Sequence, residues 1–257
     1  MRDHFCRSRG LSSVALFAIL FFWTAFVPSL SAADSALASA LLTTQALVDI
    51  LSVNTTVVSG QPQGYIDRAT GEVYISQRLM PVSYTRSGSG FIVDASGIIV
   101  TNAHTVAGAG GLAVTLFNGK NAPVKEAHLV AGTDIAFLRI DPPFALVSIP
   151  IADSDKAVAG MSVYTIGHSD YLKGTLIGGR IMGVQWDAQA GAPHATAIQM
   201  SFDMAKGDSG SPVLDGKGRL LGMVAASLLG SGGTTIAIPS YAIKTALEEF
   251  RGPLPKK

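Results

Sequence analysis

Gly207-Asp208-Ser209-Gly210-Ser211-Pro212 is followed by the apolar pair Val213-Leu214 and, after a short gap, by Leu220-Leu221-Gly222-Met223-Val224. A serine hydroxyl attacks a carbonyl only when its Oγ is openly presented and nearby backbone N–H groups can hold the oxyanion that forms. Gly207 and Gly210 allow a tight turn with no Cβ between the backbone and a bound molecule. The expected nucleophile is Ser209, and the expected oxyanion donors are the N–H groups of Gly207 and Ser209. Taken alone, the stretch is equally consistent with an ordinary hairpin loop. Its weight comes from what lies upstream.

Gly88-Ser89-Gly90-Phe91-Ile92-Val93 reads as a strand, Asp94-Ala95-Ser96-Gly97 as a turn, and Ile98 to Asn102 as a second strand that ends just before Ala103-His104. Further on, Thr133-Asp134-Ile135-Ala136-Phe137-Leu138-Arg139-Ile140 places an aspartate at the mouth of an apolar strand. The chain order His104, Asp134, Ser209 is one in which a histidine base, an orienting carboxylate and a serine nucleophile are known to cooperate. Asp141, Asp153, Asp155 and Asp170 are the other candidates for the carboxylate. Asp134 is preferred because it opens an apolar strand and can be buried against the histidine. His168 follows a turn and falls near the site, whereas His128 and His194 read as ordinary surface or strand residues. Ser89, Ser201 and Ser211 read as polar residues of strands and turns, none of them with glycine on both sides followed by proline. No two histidines have metal-ligand spacing, so neither a metal nor a cofactor is expected.

The segments Gly88 to Val106, Thr133 to Ile140, Gly207 to Leu214 and Ile236-Ala237-Ile238-Pro239-Ser240 resemble the protease domain of the HtrA/Deg family, and the resemblance covers roughly residues 80 to 250. It implies an all-β fold, two six-stranded β-barrels of the trypsin/chymotrypsin type with a short C-terminal helix at Tyr241 to Phe250. It also implies an ATP-independent serine endopeptidase with His104, Asp134 and Ser209 as its catalytic residues. The substrate strand would be Ala225-Ala226-Ser227, which would pair with a peptide backbone by β-addition. Asp203 stands where trypsin-like enzymes carry the carboxylate that selects basic P1 side chains. Apolar pockets are usual in the HtrA group, and Ser227 would narrow the entrance, so small or medium apolar P1 residues are expected. The sequence departs from the family in three ways. It ends at Lys257 without room for a PDZ domain, Ser211 replaces a usual glycine, and Asp208 belongs to the digestive branch, where it pairs with a newly freed N-terminus. No activation site of that kind occurs here, so the partner of Asp208 is left open.

Strands are also expected at Leu112 to Leu116, Val124 to Val130, Val147 to Ile151, Ser162 to Ile166, Gly179 to Trp186 and Thr196 to Ser201. The first 33 residues read as a signal peptide: Arg2, Arg7 and Arg9 precede the apolar run Leu11 to Val27, and Ser31-Ala32-Ala33 offers a cleavage point. The protein is then exported, periplasmic or secreted in a bacterium, with a membrane tether if the leader is retained. Residues 34–62 are read as an N-terminal helical segment and linker, and 63–257 as the protease domain. Leu37, Leu41, Thr44, Val48 and Leu51 suggest a helical stripe that packs on a barrel or joins copies of the chain through residues 34–60. Cys6 is the single cysteine and lies in the leader, which excludes disulfides and a thiol nucleophile from the remainder. Of 19 Lys and Arg and 18 Asp and Glu, Arg2, Arg7, Arg9 and Asp3 precede residue 34, leaving 16 against 17. That balance gives no footprint for nucleic acid. Exported hydrolysis of unfolded or exposed polypeptides through an acyl-enzyme on Ser209 is the leading expectation. A catalytically idle trypsin-fold protein, binding or chaperone-like, is the alternative.

Overall fold

The computed structural model describes residues 43–59, 63–66, 73–76, 79–167, 174–187, 194–205, 207–228 and 234–251. The leader, Leu37, Leu41, His168, Asp170 and Lys206 lie outside the described residues.

Alternating buried and exposed positions build two closed antiparallel barrels, each of six strands. The first contains β1 (Leu47–Ser59), β4 (Leu79–Asp94), β5 (Ile98–Thr101), β6 (Gly111–Leu116), β7 (Asn121–Leu129) and β8 (Ala136–Ile140), ordered β1-β4-β5-β8-β7-β6. A separate ribbon of β2 (Gln63–Ile66) and β3 (Val73–Ser76) lies between β1 and β4 in the chain. The second barrel contains β9 (Ser162–Gly167), β10 (Thr175–Asp187), β11 (His194–Met200), β12 (Pro212–Leu214), β13 (Leu220–Leu228) and β14 (Thr234–Pro239), ordered β10-β11-β14-β13-β12-β9. Closure pairs the strands of each barrel around a full ring, which is how an all-β domain limits its open edges, although β4 runs on past the stretch that β5 covers. Ile50, Ile92, Ile99 and Leu138 share the inner face of the first barrel, Phe91 and Phe137 are buried on its outer face, and Val163, Ile181, Ile198, Val213 and Ala237 fill the second barrel.

One helix ties the two halves together. α2 (Ser240–Arg251) starts on the second barrel, where Ser154 Oγ accepts from Tyr241 N–H at 3.0 Å and Ser240 Oγ donates to the Ala152 carbonyl at 2.8 Å. Its buried residues Ile243, Ala246 and Leu247 follow the i, i+3, i+4 spacing of an amphipathic face and join a core cluster that contains Phe137 of the first barrel and Leu220 and Met223 of the second. At its far end Phe250 stacks on Phe137 of β8 with ring centroids 5.0 Å apart, and Arg251 pairs with Asp94.

Three expectations change. Val48 and Leu51 belong to β1, and Asn54-Thr55-Thr56, read as linker, run inside the same strand. The protease barrel therefore begins well before residue 63. The two-residue period was masked because the inward positions are Val48, Ile50, Ser52 and Asn54, two of them polar. Ser52 and Asn54 satisfy each other, Asn54 Nδ2 donating to Ser52 Oγ at 3.1 Å. Val147 to Ile151 forms no strand. Ile149 N–H bonds the Ile92 carbonyl of the first barrel, while Pro150 and Ala152 bond Leu220 of the second. A segment whose successive bonds go to different sheets connects them without laddering on either. The remaining expected strands and the C-terminal helix correspond to β6, β7, β9, β10, β11 and α2.

Candidate active site

The site lies where the two barrels meet. At the end of β5, Asn102 leads into a single helical turn, α1 (Ala103–Val106), which carries His104. Asp134 stands just ahead of β8 and grips this turn repeatedly. Its carbonyl accepts from Ala103 N–H at 3.2 Å and from Asn102 Nδ2 at 3.2 Å. Its Oδ1 accepts from His104 N–H at 2.9 Å, and its Oδ2 lies 2.8 Å from His104 Nδ1. The carboxylate thus fixes both the backbone and the ring of one residue. With the Nδ1 proton directed at Asp134, Nε2 keeps its lone pair and points a base toward whatever faces it. The other candidate aspartates among the described residues are engaged elsewhere: Asp141 with Lys125, Asp153 with Lys156, and Asp155 with His194.

The loop bearing Ser209 joins β11 to β12. Gly207 and Gly210 have φ of +102° and +89°, a region that side-chain-bearing residues avoid. At Gly210 the requirement is also steric, because a Cβ would lie 2.0 Å from the Ser89 carbonyl oxygen. Ser89 on β4 docks this loop against the first barrel. Its N–H donates to the Ser209 carbonyl and its Oγ to the Gly207 carbonyl, both at 2.8 Å. Thr101 Oγ1 in turn donates to the Ser89 carbonyl at 2.7 Å. On the other side, Gly210 N–H donates to Val224 and Val224 N–H to Ser211, at 3.0 and 2.9 Å.

Asp208 is 0% exposed and folds back into its own loop, its Oδ2 accepting from Ala205 N–H at 2.8 Å. This supplies an internal partner where the sequence named none. Ser211 is also fully buried, and among the described residues its Oγ has no hydrogen-bond partner. Asp203 is exposed, its Oδ1 accepting from Met204 N–H at 3.0 Å. Ala225, Ala226 and Ser227 lie on β13, and the register to β14 shifts between Val224 and Ala226, so Ala225 sits in a bulge. Bulges re-aim a strand locally and are common beside active sites.

His194 is a strand residue, the first of β11, and it also makes a specific contact. Its Nδ1 lies 2.8 Å from Asp155 Oδ2, and its ring stacks on Tyr241 at 3.8 Å. Ser89 was also undervalued by the sequence reading. A serine between Gly88 and Gly90 was the available signal, since small neighbours permit another loop to approach a strand closely.

Comparisons with known proteins agree with this architecture. Protease Do-like 1, chloroplastic, of Arabidopsis thaliana is 37% identical over 153 residues, covering 58% of this chain and 35% of that protein. The probable periplasmic serine endoprotease DegP-like of Brucella suis biovar 1 (strain 1330) is 32% identical over 167 residues, covering 63% of this chain and 32% of that protein. The chain thus spans about a third of the length of these curated relatives. A solved structure described as HtrA-type protease AlgWS227A with tripeptide superposes with a TM-score of 0.65 at 21% identity, over 84% of this chain and 64% of that one, and shares the fold. The model of the trypsin-like peptidase domain matches residues 88–223, and the chain belongs to that family.

Proposed function

We propose that the protein is an exported serine endopeptidase that hydrolyses unfolded or exposed polypeptides through an acyl-enzyme on Ser209. The observation that carries this reading is the double hold of Asp134 on His104, at 2.9 Å to the backbone and 2.8 Å to the ring, beside a glycine-hinged serine loop. Relatives named as serine proteases and a periplasmic serine endoprotease support the class.

In the first half-reaction, Ser209 Oγ bonds to the scissile carbonyl carbon and gives its proton to His104 Nε2. The oxyanion rests on the N–H groups of Gly207 and Ser209. As the C–N bond breaks, His104 returns that proton to the departing amine. Water then adds to the acyl carbon and loses a proton to His104, and Ser209 Oγ leaves and regains it. Asp134 holds the imidazole in the tautomer this cycle needs and stabilises the imidazolium. The acyl half of the substrate lies along β13 at Ala225, Ala226 and Ser227, with Asp203 at the rim of the P1 site. Export follows from the leader read in residues 1–33, and retention of that leader would tether the enzyme.

The test is labelling with a fluorophosphonate probe, comparing the purified protein with Ser209→Ala and His104→Ala. Labelling of the wild type alone is expected. A folded wild type that is never labelled, with or without denatured polypeptide present, would instead support the idle binding reading.

A further inference from the structure

β4 outruns its neighbours. It pairs with β1 from Leu79 to Phe91, but β5 joins its other edge only at Phe91, Ile92 and Asp94. The Ser209 loop takes the next place on that edge, because both the N–H and the carbonyl of Ser89 point there, to the Ser209 carbonyl and to Thr101 Oγ1. Backbone groups alternate along a strand, so Ser87, Thr85 and Ser83 face the same edge. Among the described residues no strand covers it there. An extended chain leaving Ser209 away from β13 therefore meets a free β-edge, and β-addition is available to it.

The side chains beside that edge are specific. Arg86 and Tyr84 lie on the face of β4 turned toward α1. Arg86 Nη1 donates to the His104 carbonyl at 3.0 Å, Nη2 donates to Tyr84 Oη at 3.1 Å, and the guanidinium lies 5.3 Å from the Tyr84 ring centroid. The guanidinium is thus held in place by a backbone carbonyl and a phenol, neither of which neutralises it. Among the described residues it has no carboxylate partner, and Nε–H remains open. A positioned but uncompensated guanidinium suits a carboxylate.

Resting on the endopeptidase reading, we infer that Arg86 selects acidic residues in the leaving segment of the substrate, on the carboxyl side of the scissile bond. Side chains of a chain added to β4 alternate between its faces, so only every second position of that segment reaches Arg86. An acidic residue there gains an ion pair, and a lysine or arginine meets repulsion.

Internally quenched peptides carrying Glu, Gln or Lys in turn at each position after the scissile bond test this on the wild type, Arg86→Gln and Arg86→Glu. Ratios of kcat/KM within each protein cancel any general loss from disturbing His104. Wild type should prefer Glu over Gln by about fivefold at alternate positions, the size of an exposed ion pair. That preference should shrink as salt rises. Arg86→Gln should flatten it, and Arg86→Glu should turn it toward Lys, which a merely structural role would not produce. Ser209-dependent hydrolysis with the same ratios in all three proteins overturns the inference and leaves the peptidase reading standing. Absence of any Ser209-dependent hydrolysis by folded protein overturns both.

Discussion

Asp134 and His104 in the first barrel, and Asp155 and His194 in the second, are joined in the same way. In each pair one carboxylate oxygen accepts a backbone N–H, from His104 at 2.9 Å or from Ala195 at 3.0 Å. In each the other oxygen lies 2.8 Å from the histidine Nδ1. Their surroundings differ. The His104 and Asp134 side chains are 51% and 35% exposed. Those of His194 and Asp155 are 26% and 26% exposed, with the imidazole lying flat against Tyr241 at the start of α2. A polarised histidine is therefore not in itself a catalytic feature. The proposed chemistry requires Ser209 Oγ opposite the second nitrogen of His104, whereas the ring of His194 stacks on Tyr241 of α2.

Matched substitutions in the two pairs would break this comparison most sharply. His104→Ala should lower kcat/KM for a peptide substrate by roughly 10⁴-fold or more with little change in melting temperature. His194→Ala should leave kcat/KM within about twofold and instead cost about 1–2 kcal/mol in denaturant unfolding, from the lost ring stacking and hydrogen bond. Equal loss of activity in both variants would show that the second pair takes part in catalysis.

The aspartates sharpen the same contrast at intermediate size. Asp134→Asn preserves shape but presents the wrong hydrogen-bond polarity to Nδ1, so a fall of about 10³–10⁴-fold in kcat is expected. Asp155→Asn should act on stability alone, by about 1–3 kcal/mol, read by thermal unfolding. Within the Ser209 loop, Ser211→Ala removes a buried hydroxyl that has no partner among the described residues. It should raise stability by up to about 1 kcal/mol, and a loss of stability would mean that the hydroxyl is bonded.

The smallest effect concerns Asp94, whose carboxyl is held below the ordinary carboxylate range chiefly by the Ser96 backbone N–H, with Arg251 assisting. A depressed folded-state value contributes stability that is present above the unfolded value, near pH 4, and is lost as pH falls through the folded one. Asp94→Asn should therefore flatten the acid limb of the melting-temperature profile below about pH 4 and leave the pH 7 to 8 slope unchanged.

The two pairs were not equally legible. His104 and Asp134 could be read because each sits at the end of an apolar strand and the Ser209 loop announces a need for both. Asp155 and His194 are separated by two strands and carry no local signature, so only the closing of the second barrel and the docking of α2 bring them together. The N-terminal stripe misled for a related reason. Ser52 and Asn54 occupy interior positions where apolar residues are expected, and their mutual hydrogen bond becomes visible only once β1 is curled against β4 and β6. Asp208 found a partner within its own loop, the Ala205 N–H, which no residue pattern in the sequence announces.

The order of the three expected catalytic residues, the two-residue alternation of most strands and the amphipathic face of α2 were determined by sequence alone. These are local properties, fixed by the side-chain periods of strand and helix and by glycine at turns. Tertiary structure decided the rest: which aspartate reaches which histidine, that Ser89 docks the nucleophile loop, that Arg86 bonds the turn carrying His104, and that residues 147–151 bridge the barrels instead of forming a strand. Each of these is a hydrogen bond between groups far apart in the chain. Its geometry is set by barrel closure and strand register, and no neighbouring residue encodes it.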